Sequence, residues 1–171
     1  HYLFHTADAP DRKVKFSPPV RKQDDVDAMW EALASGLIDV VGADNASTTA
    51  AAKEGSIWET PRGGPGSGTI LPLILSEGVN KGRISLERAV EVTSSNAAHI
   101  FGLYPQKGAL HVGSDADLLI VDLELTKTVT TDLMQTWSDY NLYEGVELTG
   151  WPVLTMLRGE VIVRDFELQV E

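Results

Sequence analysis

Asp44 is the first side chain in this sequence whose type and position suggest chemistry. It follows Leu37-Ile-Asp-Val-Val-Gly-Ala43, a short, apolar, β-branched run that reads as a buried strand of a parallel sheet. A carboxylate delivered at the C-terminal end of such a strand can ligate a metal ion or shuttle a proton. Aspartates at strand ends serve equally as helix caps and turn formers, so the pattern alone leaves both roles open. The four histidines are His1, His5, His99 and His111. No pair has the His-x-His or His-Glu-x-x-His spacing of a zinc site. His99 falls in an expected helix and His111 near a turn, where both read as packed or surface residues. His1 and His5 have the spacing of one helix face, but Pro10 nearby argues against a helix. The histidines therefore do not assemble a three-ligand metal centre by themselves.

Three further features invite chemical readings. Pro61-Arg-Gly-Gly-Pro-Gly-Ser-Gly68 is rich in glycine but lacks the Gly-Lys-Ser/Thr ending of a phosphate loop, and it reads as a mobile loop beside a strand-end site. Asp115 and Asp117 have two positions of a Ca2+ loop without the rest, so Gly113-Ser-Asp115 reads as a turn. The aromatic residues Trp58, Trp137, Tyr140, Tyr143 and Trp151 read mainly as core or subunit contacts, since no basic stripe interleaves with them.

The elements that must position these residues can be read from periodicity. Val26, Met29, Trp30 and Leu33 form one apolar face of a helix, with Asp24 and Asp25 at its positive end and Gly36 as its C-cap. The strand at 37–43 follows, then a long connection from Ala46 to about Gly68. Helical segments are expected over about 69–80, after the N-cap Ser85, and from Asn96 to Phe101. Beyond Gly102 the character turns to short β-like runs at 108–110, 117–121, 153–157 and 161–163. The last two flank Arg158-Gly159-Glu160, a hairpin signal. These shifts predict a boundary near 103, with an α/β part over 1–102 and a β-rich part over 103–171.

Composition narrows the function classes. The 171 residues carry 14 Lys and Arg against 25 Asp and Glu, a net charge of -11 that disfavours a nucleic-acid partner. With no cysteine, disulfide frameworks and thiolate metal sites are excluded, which suits the cytosol. No apolar run approaches a membrane span, and Ile70-Leu-Pro-Leu-Ile-Leu75 is short and broken by Pro72. The length is ample for one core but short of the roughly 250 residues of a whole (β/α)8 barrel.

Several segments occur in an ordered series. Ser17-Pro-Pro-Val-Arg21 precedes the helix with Trp30, and Gly42-Ala-Asp44 ends the expected strand. Pro61-Arg-Gly-Gly-Pro-Gly66 precedes Leu71-Pro-Leu73, followed by Gly78-Val-Asn-Lys-Gly-Arg83 and Asn96-Ala-Ala-His-Ile-Phe-Gly-Leu-Tyr-Pro-Gln-Lys-Gly108. Val112-Gly-Ser-Asp-Ala-Asp-Leu118 and Leu157-Arg-Gly159 complete it. The series resembles the C-terminal part of the cyclic amidohydrolases, closest to the hydantoinase and dihydropyrimidinase branch. The opening His1-Tyr2-Leu3 is similar to the region just after the last metal histidine, so no metal role is assigned to His1.

The resemblance implies the C-terminal part of a (β/α)8 barrel, class α/β, with part of a small β-sandwich beside it. It implies hydrolysis of a cyclic amide or imide C–N bond, such as a hydantoin or dihydropyrimidine ring, with two divalent cations, zinc or manganese. Asp44 is then a metal ligand and the catalytic proton carrier. Ser17 matches a serine that binds the ring through its backbone. Pro65 stands where many relatives use the backbone of an asparagine, and a proline keeps the carbonyl acceptor while lacking the N–H. The remaining ligands are expected from the N-terminal remainder of a longer cytoplasmic enzyme, a homo-oligomer, tetrameric by resemblance. One departure stands out: relatives usually carry histidine directly after the aspartate, and here it is Asn45, which hydrogen-bonds but carries no charge. Two rival readings remain. One is a non-catalytic, dihydropyrimidinase-like assembly protein that has lost its metal; the other is an independent small binding domain.

Overall fold

The computed structural model describes residues 1–4 and 12–169. They form two compact units, each assembled from separate stretches of chain. The first comprises His1–Leu37, Gly42–Ile70 and Thr128–Glu147; the second comprises Ile38–Val41, Leu71–Lys127 and Leu148–Glu171.

Helix α1 of the first unit, Gln23–Ala34, lies where the apolar periodicity predicts it and buries Val26, Trp30 and Leu33. Asp24 and Asp25 occupy its first turn, and Asp25 Oδ2 accepts the Lys22 N–H at 3.2 Å, satisfying a donor that the helix leaves open. After Gly36, at φ 85°, the Leu37 N–H returns to the Ala32 carbonyl at 3.0 Å and closes the helix. The Trp30 indole donates to the Leu3 carbonyl at 2.9 Å, so the largest side chain of the helix is buried with its polar atom satisfied. Phe16, Val129, Tyr140 and Tyr143 complete this core.

The expected strand over 37–43 is corrected: the segment joins no ladder among the described residues, and Leu37 is 79% exposed. A parallel strand needs neighbouring strands to take its N–H and C=O groups, and the described residues supply none there. Within the second unit, helical residues satisfy part of this backbone instead. Val41 N–H donates to the Val92 carbonyl at 2.9 Å, Arg88 donates to the Ile38 carbonyl at 2.6 Å, and Asn96 Nδ2 donates to the Asp39 carbonyl at 2.9 Å.

Two helical runs build much of the second unit. Helix α2, Ile70–Leu73, passes directly into a wide π turn over Ile74–Asn80. Helix α3, Leu86–Val90, continues through a π turn over Glu91–Ser95 into α4, Asn96–Ile100. Ser85 caps α3 as expected, its Oγ accepting the Arg88 N–H at 3.1 Å. The sheet of β1 (Leu118–Thr128), β2 (Glu147–Leu157), β3 (Glu160–Arg164) and β4 (Glu167–Leu168) runs in chain order, with the short helix α5, Thr131–Met134, between β1 and β2. The hairpin signal is borne out: β2 pairs antiparallel with β3, Leu157 stands opposite Glu160, and Arg158 and Gly159 both have positive φ, as a two-residue primed turn requires. The run at 108–110 forms no strand, and Leu110 there is exposed. Asn80 ties the first helical run to the sheet, donating to the carbonyls of Leu123 at 3.0 Å and Thr149 at 2.8 Å. Among the described residues no helix is long and apolar enough to cross a membrane.

Candidate active site

Asp44 sits in the first unit with an exposed side chain and φ 49°. Aspartate is one of the few non-glycine residues that tolerate this left-handed region, and such backbone outliers concentrate at functional positions. The residues just after it are strapped to the glycine-rich segment. Asn45 pairs with Gly64 in a parallel bridge, and the Ala46 N–H donates to the Gly64 carbonyl at 3.1 Å. Asn45 Oδ1 accepts the Gly66 N–H at 2.9 Å, with the Ser67 N–H at 3.5 Å. The approach is close enough to require glycine: a Cβ on Gly63 would lie 2.6 Å from the Ala46 Cβ, and one on Gly66 would lie 2.9 Å from the His1 ring. Because Asn45 occupies these amides, the segment does not offer them as a phosphate cradle.

His1 and Tyr2 bring in the third stretch. The His1 ring stacks on Phe16 with centroids 4.1 Å apart, and His1 Nδ1 lies 3.0 Å from the Tyr143 hydroxyl. The Tyr2 hydroxyl donates to the Pro18 carbonyl. Its phenol pKa is raised, first by burial and then by the Asp44 carboxylate. Burial alone raises that of Tyr143. Through these contacts Phe16–Pro18, Asp44–Asn45 and Gly64–Gly66 are joined. Ser17 is exposed, while Pro65 is buried.

Two lysines that composition does not single out hold the connection between these stretches. Lys53 is 3% exposed, and its Nζ donates to the Pro61 carbonyl at 2.8 Å and to the Gly63 carbonyl. Burial, and then the charge of Lys15, lower its pKa. Lys15 Nζ donates to the carbonyls of Ile57 and Thr60, and its own carbonyl accepts the Gly63 N–H at 2.8 Å. A lysine in a loop reads as solvated, so no sequence signal marks these contacts. On the far side, Thr48 N–H meets Ser138 Oγ at 3.2 Å and Ala50 N–H meets Asp139 Oδ1 at 2.6 Å.

The other candidate residues lie apart from this chemistry. His99 stacks on Tyr104 at 3.8 Å, and His111 Nδ1 lies 3.2 Å from Ser114 Oγ. Asp115 and Asp117 both bind Lys107, which supplies the positive charge a Ca2+ ion would otherwise bring. Tyr140, Tyr143 and Trp151 are core residues, whereas Trp58 is 90% exposed and Trp137 is also exposed. His5 lies outside the described residues. Among the described residues no three His, Asp or Glu side chains gather into a metal site, so Asp44 does not constitute a metal centre by itself.

The model of the amidohydrolase family matches residues 12–162. An L-hydantoinase of Paenarthrobacter aurescens is 44% identical over 176 residues, covering 99% of this chain and 38% of the relative. A D-hydantoinase of Geobacillus stearothermophilus is 37% identical, covering 90% of this chain and 33% of the relative. The solved L-hydantoinase (dihydropyrimidinase) from Arthrobacter aurescens superposes with a TM-score of 0.95 at 43% identity, over 99% of this chain and 39% of that one. The chain thus spans under two fifths of the length of these relatives and has the fold of the portion it matches.

Proposed function

The chain belongs to the amidohydrolase family, and from that premise we propose that it supplies part of the active site of a hydrolase that opens a cyclic amide or imide ring. The reading extends to a hydantoin or dihydropyrimidine ring, with the C–N bond as the bond broken. The observation that carries it is the joining of Asp44–Asn45, Gly64–Gly66 and Phe16–Pro18 around His1 and Tyr2. In the same reading residues 1–102 are the C-terminal part of a (β/α)8 barrel and 103–171 part of a small β-sandwich. The rest of the site comes from the N-terminal remainder of a longer enzyme, a cytoplasmic homo-oligomer.

In this mechanism Asp44 takes a proton from the attacking water and delivers it to the departing ring nitrogen. Backbone groups at Ser17 and the carbonyl of Pro65 orient the ring, so that its carbonyl carbon faces the water. Pro65 contributes an acceptor only. Asp44 would also be this chain's ligand to a pair of divalent cations, zinc or manganese. When bound, such cations lower the pKa of water toward neutrality and polarise the ring carbonyl.

The test is ring opening of hydantoin and dihydrouracil by the protein that carries this chain, with its metal content measured in parallel. Turnover with bound divalent metal supports the hydrolase. Neither metal nor turnover supports the assembly-protein reading, to which Asn45 in place of histidine is the one pointer.

A further inference from the structure

We infer that Lys53, with Lys15 beside it, is a positioning residue that sets the backbone of Gly63–Gly66 for substrate; the inference rests on the ring-opening reading. Substrate contacts made by backbone atoms have no rotamer to adjust, so their placement depends on what holds the flanking peptides. Lys53 holds two of them: its buried ammonium donates to the carbonyls of Pro61 and Gly63, the second directly preceding Gly64 and Pro65. Among the described residues no carboxylate lies within 4.0 Å of that ammonium. Its buried charge is satisfied by peptide oxygens, which fixes their orientation. Lys15 repeats the arrangement one step back. Its ammonium takes the Ile57 and Thr60 carbonyls, and its own carbonyl takes the Gly63 N–H. Gly63 is therefore held at its oxygen by one lysine and at its nitrogen by the other, and Gly66 is held at its nitrogen by Asn45. The segment that presents Pro65 is pinned at both ends.

The experiment compares Lys53→Met and Lys15→Met with the unmodified protein that carries this chain, by amide hydrogen exchange and by steady-state opening of hydantoin. For Lys53→Met, exchange over residues 61–67 should rise about tenfold while α1 is unchanged. KM should rise about tenfold with kcat altered much less, the signature of lost ground-state orientation. Unchanged exchange and unchanged KM would overturn the inference. If Lys53→Met also raises exchange in α1, the less buried Lys15→Met decides. A local rise over 57–63 with higher KM upholds the positioning role, and no change in either overturns it. Faster local exchange in a protein that opens no ring even unmodified would defeat the ring-opening reading and leave the strap standing.

Discussion

Asp44 and Asn45 are adjacent but take different work. The carboxylate is exposed at a left-handed turn, and the amide after it is committed to the Gly66 N–H. Asparagine can hold that strap as an uncharged acceptor, which gives Asn45 a structural role of its own. Asn45→Ala should therefore lower stability by about 1 kcal/mol in urea denaturation, while Asn45→Asp, which keeps the acceptor, should lose less. Equal losses for the two would show that the acceptor is not what matters. The sequence marks Asp44 through the apolar run before it. It leaves Lys53 unmarked, because a lysine in a loop reads as solvated, and it marks Tyr143 only as a core or subunit contact, because its partner is distant along the chain: Tyr143 meets His1 across nearly the whole sequence.

Elements defined by local rules were legible. The 3.6-residue period gave α1, Ser85 gave the start of α3, and Arg158–Gly159 gave the β2–β3 turn. The strand at 37–43 was not, because a parallel strand is defined by its neighbours and its own sequence only makes it eligible. Gly159→Val should weaken the hairpin by about 1–2 kcal/mol, the cost of holding a β-branched residue at positive φ, read as a lower thermal midpoint. The turn at 105–117 rests on Lys107, whose ammonium meets Asp115 Oδ2 at 2.7 Å and also binds Asp117. Asp117 Oδ1 accepts the Arg158 N–H at 2.8 Å, tying this turn to the hairpin. The hydrogen bonds from Lys107 hold both carboxyl pKa values below their ordinary range, and the pair raises that of Lys107. The carboxylates thus contribute stability above their unfolded pKa, about 3.9, that is lost as pH falls through the lower folded values. Lys107 contributes below its unfolded pKa, about 10.4, and its share is lost as pH rises through the higher folded value. Thermal midpoints across pH should show both limbs, and Lys107→Met should flatten them. Limbs of unchanged steepness in the variant would assign the pH dependence to other groups.

At the scale of the molecule, the chain reads as an ordinary soluble domain by composition, yet the structure leaves Leu37, Phe101, Leu110 and Val112 in solvent. Exposed apolar side chains of this size favour association. The isolated 171-residue chain should self-associate at micromolar concentration in light scattering, and a monodisperse 18.6 kDa species would contradict that. The averages hide this because composition counts apolar residues without regard to which of them are buried, and the chain covers 38% of the length of the L-hydantoinase it matches. The ordered motifs, in contrast, were specific enough to name the family. The proposed function turns on Asp44 as the proton-carrying carboxylate of a ring-opening hydrolase. Asp44→Asn in the protein that carries this chain tests it most directly, by turnover of hydantoin and dihydrouracil with circular dichroism as the control. The expected result is a loss of about 10²–10⁴-fold with the fold unchanged. Full turnover in the folded variant would contradict it.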